Sequence, residues 1–264
     1  GTLQAPVELL RKAFEQTMFA ASDNGARPEL DGVNVMVQDE GTTFSAIGNS
    51  QLARYKRSDI RLQTPSTSPQ TQPTNFTIPS KALQLLVQLF AMPTIQAKAP
   101  VHVTFDTNKV CFSQNNTHII ARLIESEFKP YENMIPSSKP QGILKLPKST
   151  LLQALKMMDV YANKTSPIIK LSLDTTNHFD ISALDMNFAN EAKETHECTY
   201  EGQKIDIGFN ARLLMTMISK LVSSDLILHF YTPQKPIVIL PAHLDNNESL
   251  LLLLAPMTLS APTF

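Results

Sequence analysis

The side chains in this 264-residue chain best suited to catalysis or metal binding are its six histidines and two cysteines. His102, His118, His178, His196, His229 and His243 lie far apart, mostly in strand-like segments. They show neither an HExxH pair nor the Cys/His spacing that closes on a metal. Cys111 and Cys198 fall in different halves, again in strand-like segments, and read as buried free thiols of a reducing compartment. The eight glycines form no GxGxxG and no Walker-type loop, so nothing cradles a nucleotide. Gly48-Asn49-Ser50 lacks the second glycine of a GxSxG elbow. The sequence therefore offers no catalytic constellation, no metal ligands and no cofactor site. Only carboxylate pairs assembled in space are left open.

The pattern that does emerge is electrostatic. With 23 Lys and Arg against 24 Asp and Glu, the chain carries a formal charge of −1 and is not basic overall. Four amphipathic helices nevertheless place seven basic residues on their wet faces, namely Arg11, Lys12, Lys81, Lys148, Lys156, Arg212 and Lys220. Only Glu8, Glu15 and Asp159 oppose them, a balance of +4, which leaves 16 basic and 21 acidic residues elsewhere. A helical layer of opposite sign to the rest suits a polyanion gripped through its phosphates without base reading. The competing account is that exposed helices simply favour Lys and Arg.

Those cations depend on the elements that carry them. Leu10, Phe14, Thr17, Met18 and Ala21 recur at helical spacing after Pro6, predicting a helix over residues 6–21. Alternation at Val33, Val35 and Val37 predicts a strand, followed by strands over 42–47 and 50–56. Residues 64–75, rich in Pro, Ser, Thr and Gln, read as a solvated loop. A helix over 80–92 is apolar at Ala82, Leu85, Leu86, Leu89 and Phe90, with Lys81, Gln84 and Gln88 as its wet stripe. Strands over 101–105, 109–113 and 118–124 complete the first set.

The order then restarts. Leu146-Pro147 introduces a helix with Leu151, Leu152, Leu155 and Met158 on one side, 141 residues after Ala5-Pro6. Strands over 168–173, 178–184 and 194–200 follow, and a strand over 205–209 leads into a helix through Leu213, Leu214, Met217, Ile218 and Leu221. Strands over 226–230, 237–240 and 250–254 close the set. Helix, three strands, helix, three strands is thus used twice, an α+β fold with two helices on one face of antiparallel sheet in each copy. The connector EFKPYENMIP, with Pro130 and Pro136, is too apolar for a free linker and reads as the packed hinge. The expected division is 1–126, a connector at 127–140, and 141–264.

Composition, 42% hydrophobic and 18% charged, describes a soluble globular protein. No signal peptide opens the chain, and the apolar run at 250–254 is too short to span a bilayer, so a cytoplasmic location and no membrane partner are expected. Gly1, directly before a structural element, suggests that the natural N-terminus lies upstream.

Five stretches, in order and at their spacing, resemble the bacterial DNA polymerase III beta subunit, the sliding clamp. They are RPELDGV (27–33), FSAIGNSQLA (44–53), EFKPYENMIP (127–136), IDIGFNARLL (205–214) and LLLLAPMTL (251–259). The resemblance covers essentially the whole chain and corresponds to the second and third of that family's three domains. It implies the DNA clamp fold and a non-catalytic processivity factor of the replicative polymerase. The full-length chain would form a homodimeric ring around double-stranded DNA, with the seven cations facing the duplex.

The resemblance also implies a groove taking short hydrophobic motifs of polymerase, clamp loader and repair proteins. One subsite would comprise Leu30, Ile47, Asn49, Ser50, Gln51, Leu52, Pro136, Leu253 and Ala255; the second, Asn210, Leu213, Pro236, Pro256 and Met257. Taken singly, Leu253 and Ile47 read as core. Ser50-Gln51 stands where the family often has His-Arg, Leu213 where it has an aromatic and Thr258 where it has Arg, so charge and ring area are missing from this groove. Residues 260–264 run past the usual end and would be either a neighbour's groove ligand or a disordered tail. The alternatives are a self-sufficient two-domain ring, and an unrelated enzyme on this scaffold.

Overall fold

The computed structural model describes residues 1–22, 25, 27–62, 74–93, 95–185 and 190–259. The expected solvated loop lies largely, and the tail 260–264 wholly, outside the described residues. The chain divides into two units, one of Gly1–Pro130 with Asp245–Leu250 and one of Tyr131–Leu244 with Leu251–Phe264.

In the first unit the elements run β1 (Thr2–Pro6), α1 (Val7–Glu15), β2 (Gly32–Gln38), β3 (Gly41–Ile47), β4 (Gln51–Arg57), β5 (Thr74–Pro79), α2 (Ser80–Phe90), β6 (Pro100–Phe105), β7 (Lys109–Gln114) and β8 (Thr117–Arg122). The strands form two antiparallel sheets, ordered β1-β6-β7-β8 and β5-β2-β3-β4. Both helices follow a strand that ends in proline, and proline's fixed φ, −58° at Pro6 and at Pro79, starts the turn without a side-chain cap. The first helical N–H groups bond instead to backbone: Val7 to Ala99 O at 3.1 Å, Glu8 to Ala97 O at 2.9 Å and Ser80 to Asp31 O at 2.9 Å. Phe14 of α1 meets Phe44 of β3 and Phe112 of β7 edge-on, centroids 5.6 and 6.2 Å apart, so one helical ring packs on both sheets.

Three expectations change here. The first helix ends at Glu15, because the Thr17 hydroxyl bonds back to Ala13 O at 2.7 Å and residues Met18–Ala20 form a separate 3₁₀ turn. On α2 the buried residues are Leu83, Leu86 and Phe90, whereas Leu85 is 68% exposed. The apolar side is thus rotated from the one read in sequence. β1 was not foreseen; only Leu3 and Ala5 of its five residues turn inward.

In the second unit the elements run β9 (Gly142–Pro147), α3 (Lys148–Tyr161), β10 (Ile168–Leu173), β11 (His178–Asp185), β12 (Asn190–Glu197), β13 (Thr199–Gly202), β14 (Ile205–Asn210), α4 (Ala211–Lys220), β15 (Asp225–Phe230), β16 (Ile237–Pro241) and β17 (Glu248–Leu254, its first three residues belonging to the first unit). Here too there are two sheets, β12-β11-β10-β14 and β13-β9-β15-β16-β17. The single strand expected over 194–200 breaks at Cys198, with β12 pairing to β11 and β13 pairing to β9. Cys198 is therefore not inside a strand. Its thiol is pushed up to about 11 by burial and by Asp174. β9, like β1, was missed because its inward face is only Leu144 and Leu146, with Gly142 beside Tyr200. The fold class stands as α+β with two helices per unit, the strands of each unit divided between two sheets rather than gathered in one.

Candidate functional site

The paired helices are built to turn cations outward. On α3, burial of Leu151, Ala154, Leu155 and Met158 leaves Lys156 exposed; on α4, burial of Ala211, Leu214, Met217 and Ile218 leaves Arg212 and Lys220 exposed. Asn210 caps α4, its side chain accepting from Leu213 N at 3.1 Å. The Lys148 Nζ donates to Leu221 O at 2.6 Å, and Arg212 bonds Asp159 at 2.8 Å and Lys164 O at 3.1 Å, so α3 and α4 lie antiparallel, joined at both ends. Lys164 reaches the last carbonyls of α3, Asp159 O and Val160 O, where cations complement the helix dipole. α3 and α4 themselves carry Lys148, Lys156, Arg212 and Lys220 with one carboxylate, Asp159.

The α1 and α2 pair differs. Arg11 lies 3.6 Å from Glu15, and Lys12, only 30% exposed, has its Nζ 2.8 Å from the Glu248 carboxylate. The Glu248 side chain is 2% exposed and also receives Arg57 at 3.2 Å, the Tyr55 hydroxyl and the Asp245 N–H at 3.3 Å. Arg57, itself 5% exposed, is held on its other side by Asp59. Burial pushes the Glu248 carboxyl up, but the bonds from Lys12 and Tyr55 outweigh it and hold the group below the usual carboxylate range. Arg57 likewise keeps Asp59 below that range, and burial with the Glu248 bond raises the Tyr55 phenol. Of the cations on this layer, Lys81 and Lys98 are exposed and without an ion pair among the described residues. α1 and α2 themselves carry Arg11, Lys12 and Lys81 with two carboxylates, Glu8 and Glu15. Sequence reasoning missed this cluster because Glu248 lies 236 residues from Lys12; the alternation Tyr55, Arg57 on one face of β4 was its only local trace.

The residues expected to take a hydrophobic motif divide between the units. In the first, Asn49 and Ser50 form the two-residue loop of the β3–β4 hairpin, closed by Gly48 N to Gln51 O at 2.9 Å, and the Gln51 amide donates to Phe19 O at 3.2 Å. Leu30 joins this group through Ser22 N to Leu30 O at 2.9 Å. Asn49 is exposed and Ser50 and Gln51 half-buried, whereas Leu30, Ile47 and Leu52 are core, at most 2% exposed. In the second, Asn210 and Leu213 adjoin at the start of α4, and Met257 N bonds Gly208 O of β14 at 2.8 Å. Pro236 precedes Ile237, which pairs with Leu254, so Pro236 and Ala255 flank the end of that ladder. All of these, with Pro136 and Pro256, are half-buried, while Leu253 is core. Beside the Met257 bridge is a cleft of about 350 Å³ lined by Asp206, Gly208, Pro233, Gln234, Pro256, Met257, Thr258 and Leu259. Among the described residues no cluster of His, Cys, Asp or Glu fits a metal ion, and no helix is long and apolar enough to cross a membrane.

Residues 4–130 match the family described as DNA polymerase III beta subunit, central domain, and residues 132–257 match DNA polymerase III beta subunit, C-terminal domain. The beta sliding clamp of Synechococcus elongatus is 26% identical over 240 residues, covering 90% of this chain and 61% of that protein. The beta sliding clamp of Staphylococcus epidermidis is 25% identical over 252 residues, covering 95% of this chain and 63% of the relative. A crystal structure of the DNA polymerase sliding clamp from Bacillus subtilis superposes with a TM-score of 0.86 at 22% identity, over 98% of this chain and 65% of that one. The chain therefore spans less than two thirds of the length of these relatives.

Proposed function

This chain belongs to the DNA polymerase III beta subunit family, and from that premise we propose that it serves a sliding clamp as its middle and C-terminal domains, without catalysis of its own. The domain division proposed is 1–126 and 141–264 about the connector 127–140. In the complete protein, a homodimeric ring in the cytoplasm, the helical layers face duplex DNA and hold it by diffuse attraction to phosphates. Such contacts carry no sequence information, so the ring moves along the duplex at little cost.

The observation that carries this reading is that each unit pairs two helices whose buried sides close its core while their outer sides bear Lys and Arg. Partner proteins dock by a short apolar motif. In the second unit Leu213, Pro236, Ala255, Pro256 and Met257 offer accessible aliphatic surface, and Asn210 offers amide chemistry to the motif's backbone. In the first unit Asn49, Ser50 and Gln51 give hydrogen bonds and no charge, and Leu30, Ile47 and Leu52 are core there, as Leu253 is in the second. Titration of a fluorescent peptide bearing a hydrophobic clamp-binding motif tests this. Saturable binding that weakens at least tenfold in Leu213→Ala/Met257→Ala supports it. Absence of saturation, or equal affinity for the variant, refutes it.

A further inference from the structure

The cleft beside the Met257 bridge is apolar except at one point. Pro233, Pro256, Met257 and Leu259 give it aliphatic walls, and among the described residues Asp206 is its one charged side chain. Asp206 and Gly208, two residues apart on β14, share a face of that edge strand. Gly208 has no side chain, so Leu259 packs against it; a Cβ there would lie 2.8 Å from Leu259 Cδ2. The Asp206 side chain, 44% exposed, therefore stands beside aliphatic surface and remains open to solvent. Its one ion-pair partner among the described residues is Lys170 of β10, whose Nζ lies 3.3 Å from Oδ2. Lys170 does not line the apolar cleft; it belongs to a second, polar cleft of about 640 Å³ that Asp206 also borders. An ion pair this exposed is weak, and a carboxylate bound through one oxygen can accept a second donor at the other.

We propose that Asp206 sets the charge preference of this cleft: the docking segment it accepts carries a Lys or Arg beside its apolar residues, and a segment with Asp or Glu there is disfavoured. The inference rests on the docking reading above and names the partner chemistry that reading leaves open. The apolar residues of the segment meet Pro256, Met257 and Leu259, and its cation pairs with the carboxylate at the edge of that contact. A like charge in the same place meets Asp206 with no cation of the cleft to offset it.

The test uses the full 264-residue chain and fluorescein-labelled peptides that share one hydrophobic clamp-binding motif and differ only in a Lys, Gln or Glu placed immediately before or after it. The parent is expected to bind the better Lys peptide about fivefold more tightly than its Glu counterpart, with the Gln peptide between them. In Asp206→Asn the three affinities converge to within about twofold, whereas Lys170→Gln, which releases the carboxylate from its other partner, keeps or widens the preference. Circular dichroism confirms that both variants stay folded. No preference in the parent, the same preference in Asp206→Asn, or its loss in Lys170→Gln overturns the assignment while saturable binding of the Gln peptide leaves the docking reading intact. Failure of all three peptides to saturate the parent overturns both.

Discussion

Glu248→Gln is the most informative single change in this molecule, because it alters charge with almost no change of shape. The carboxylate accepts from Lys12 at 2.8 Å, Arg57 at 3.2 Å, the Tyr55 hydroxyl and a backbone N–H, and both it and Arg57 are at most 5% exposed. Breaking a buried pair from one side strands its partner, typically at 3–5 kcal/mol. Arg57 keeps Asp59 and Lys12 can swing to solvent, so the loss should fall near the lower end, about 3 kcal/mol. For a unit of this size that corresponds to a melting temperature lower by about 6–12 °C.

The depressed Glu248 carboxyl contributes stability that is present above the unfolded-state value of 4.5 and lost as pH falls through its lower folded-state value. The difference between parent and variant should therefore be full near pH 7 and close progressively on acidification below about 4.5. Amide hydrogen exchange should locate the loosening in residues 245–250 and in α1. A loss under about 1 kcal/mol, or one independent of pH, would show that the cluster holds the segment by packing and not by charge.

Leu83→Ala should destabilise by about 2–5 kcal/mol in chemical denaturation, whereas Leu85→Ala, two residues along the same helix but 68% exposed, should stay within about 0.5 kcal/mol. The reverse order would mean that α2 is seated as its sequence pattern suggests. A Cβ at Gly208 would lie 2.6 Å from Met257 O, so Gly208→Ala must push the 257–259 segment off β14. Loss of that bridge should weaken the hydrophobic peptide by about tenfold with little change in melting temperature; unchanged affinity would separate Met257 from the binding surface.

Much of this architecture is legible in the chain because it is periodic. The strand pairs 33–37 with 42–47 and 168–173 with 178–184, and the prolines that start α1, α2 and α3, announce themselves locally. What escapes is what depends on distant partners. β1 and β9 have too few inward side chains to register as strands, and their status comes from pairing with β6 and with β13 and β15. Leu83 and Leu85 are the same residue type two positions apart, and only packing against the sheets chooses between them. Lys12 reads as one more surface cation until Glu248 comes beside it. The Leu30, Ile47, Leu52 and Leu253 positions illustrate the converse, since a residue type suited to lining a groove is equally suited to the core that the structure makes of it.

The break at Cys198 has a consequence for how the second unit assembles. One run of residues, 190–202, is stitched into one sheet through β11 and into the other through β9. A slip of one residue in either seam would have to be absorbed at a single junction, where Cys198 N is already anchored to Asn177 O at 2.9 Å. The alignments of the two sheets are thereby tied to one another through a run of thirteen residues.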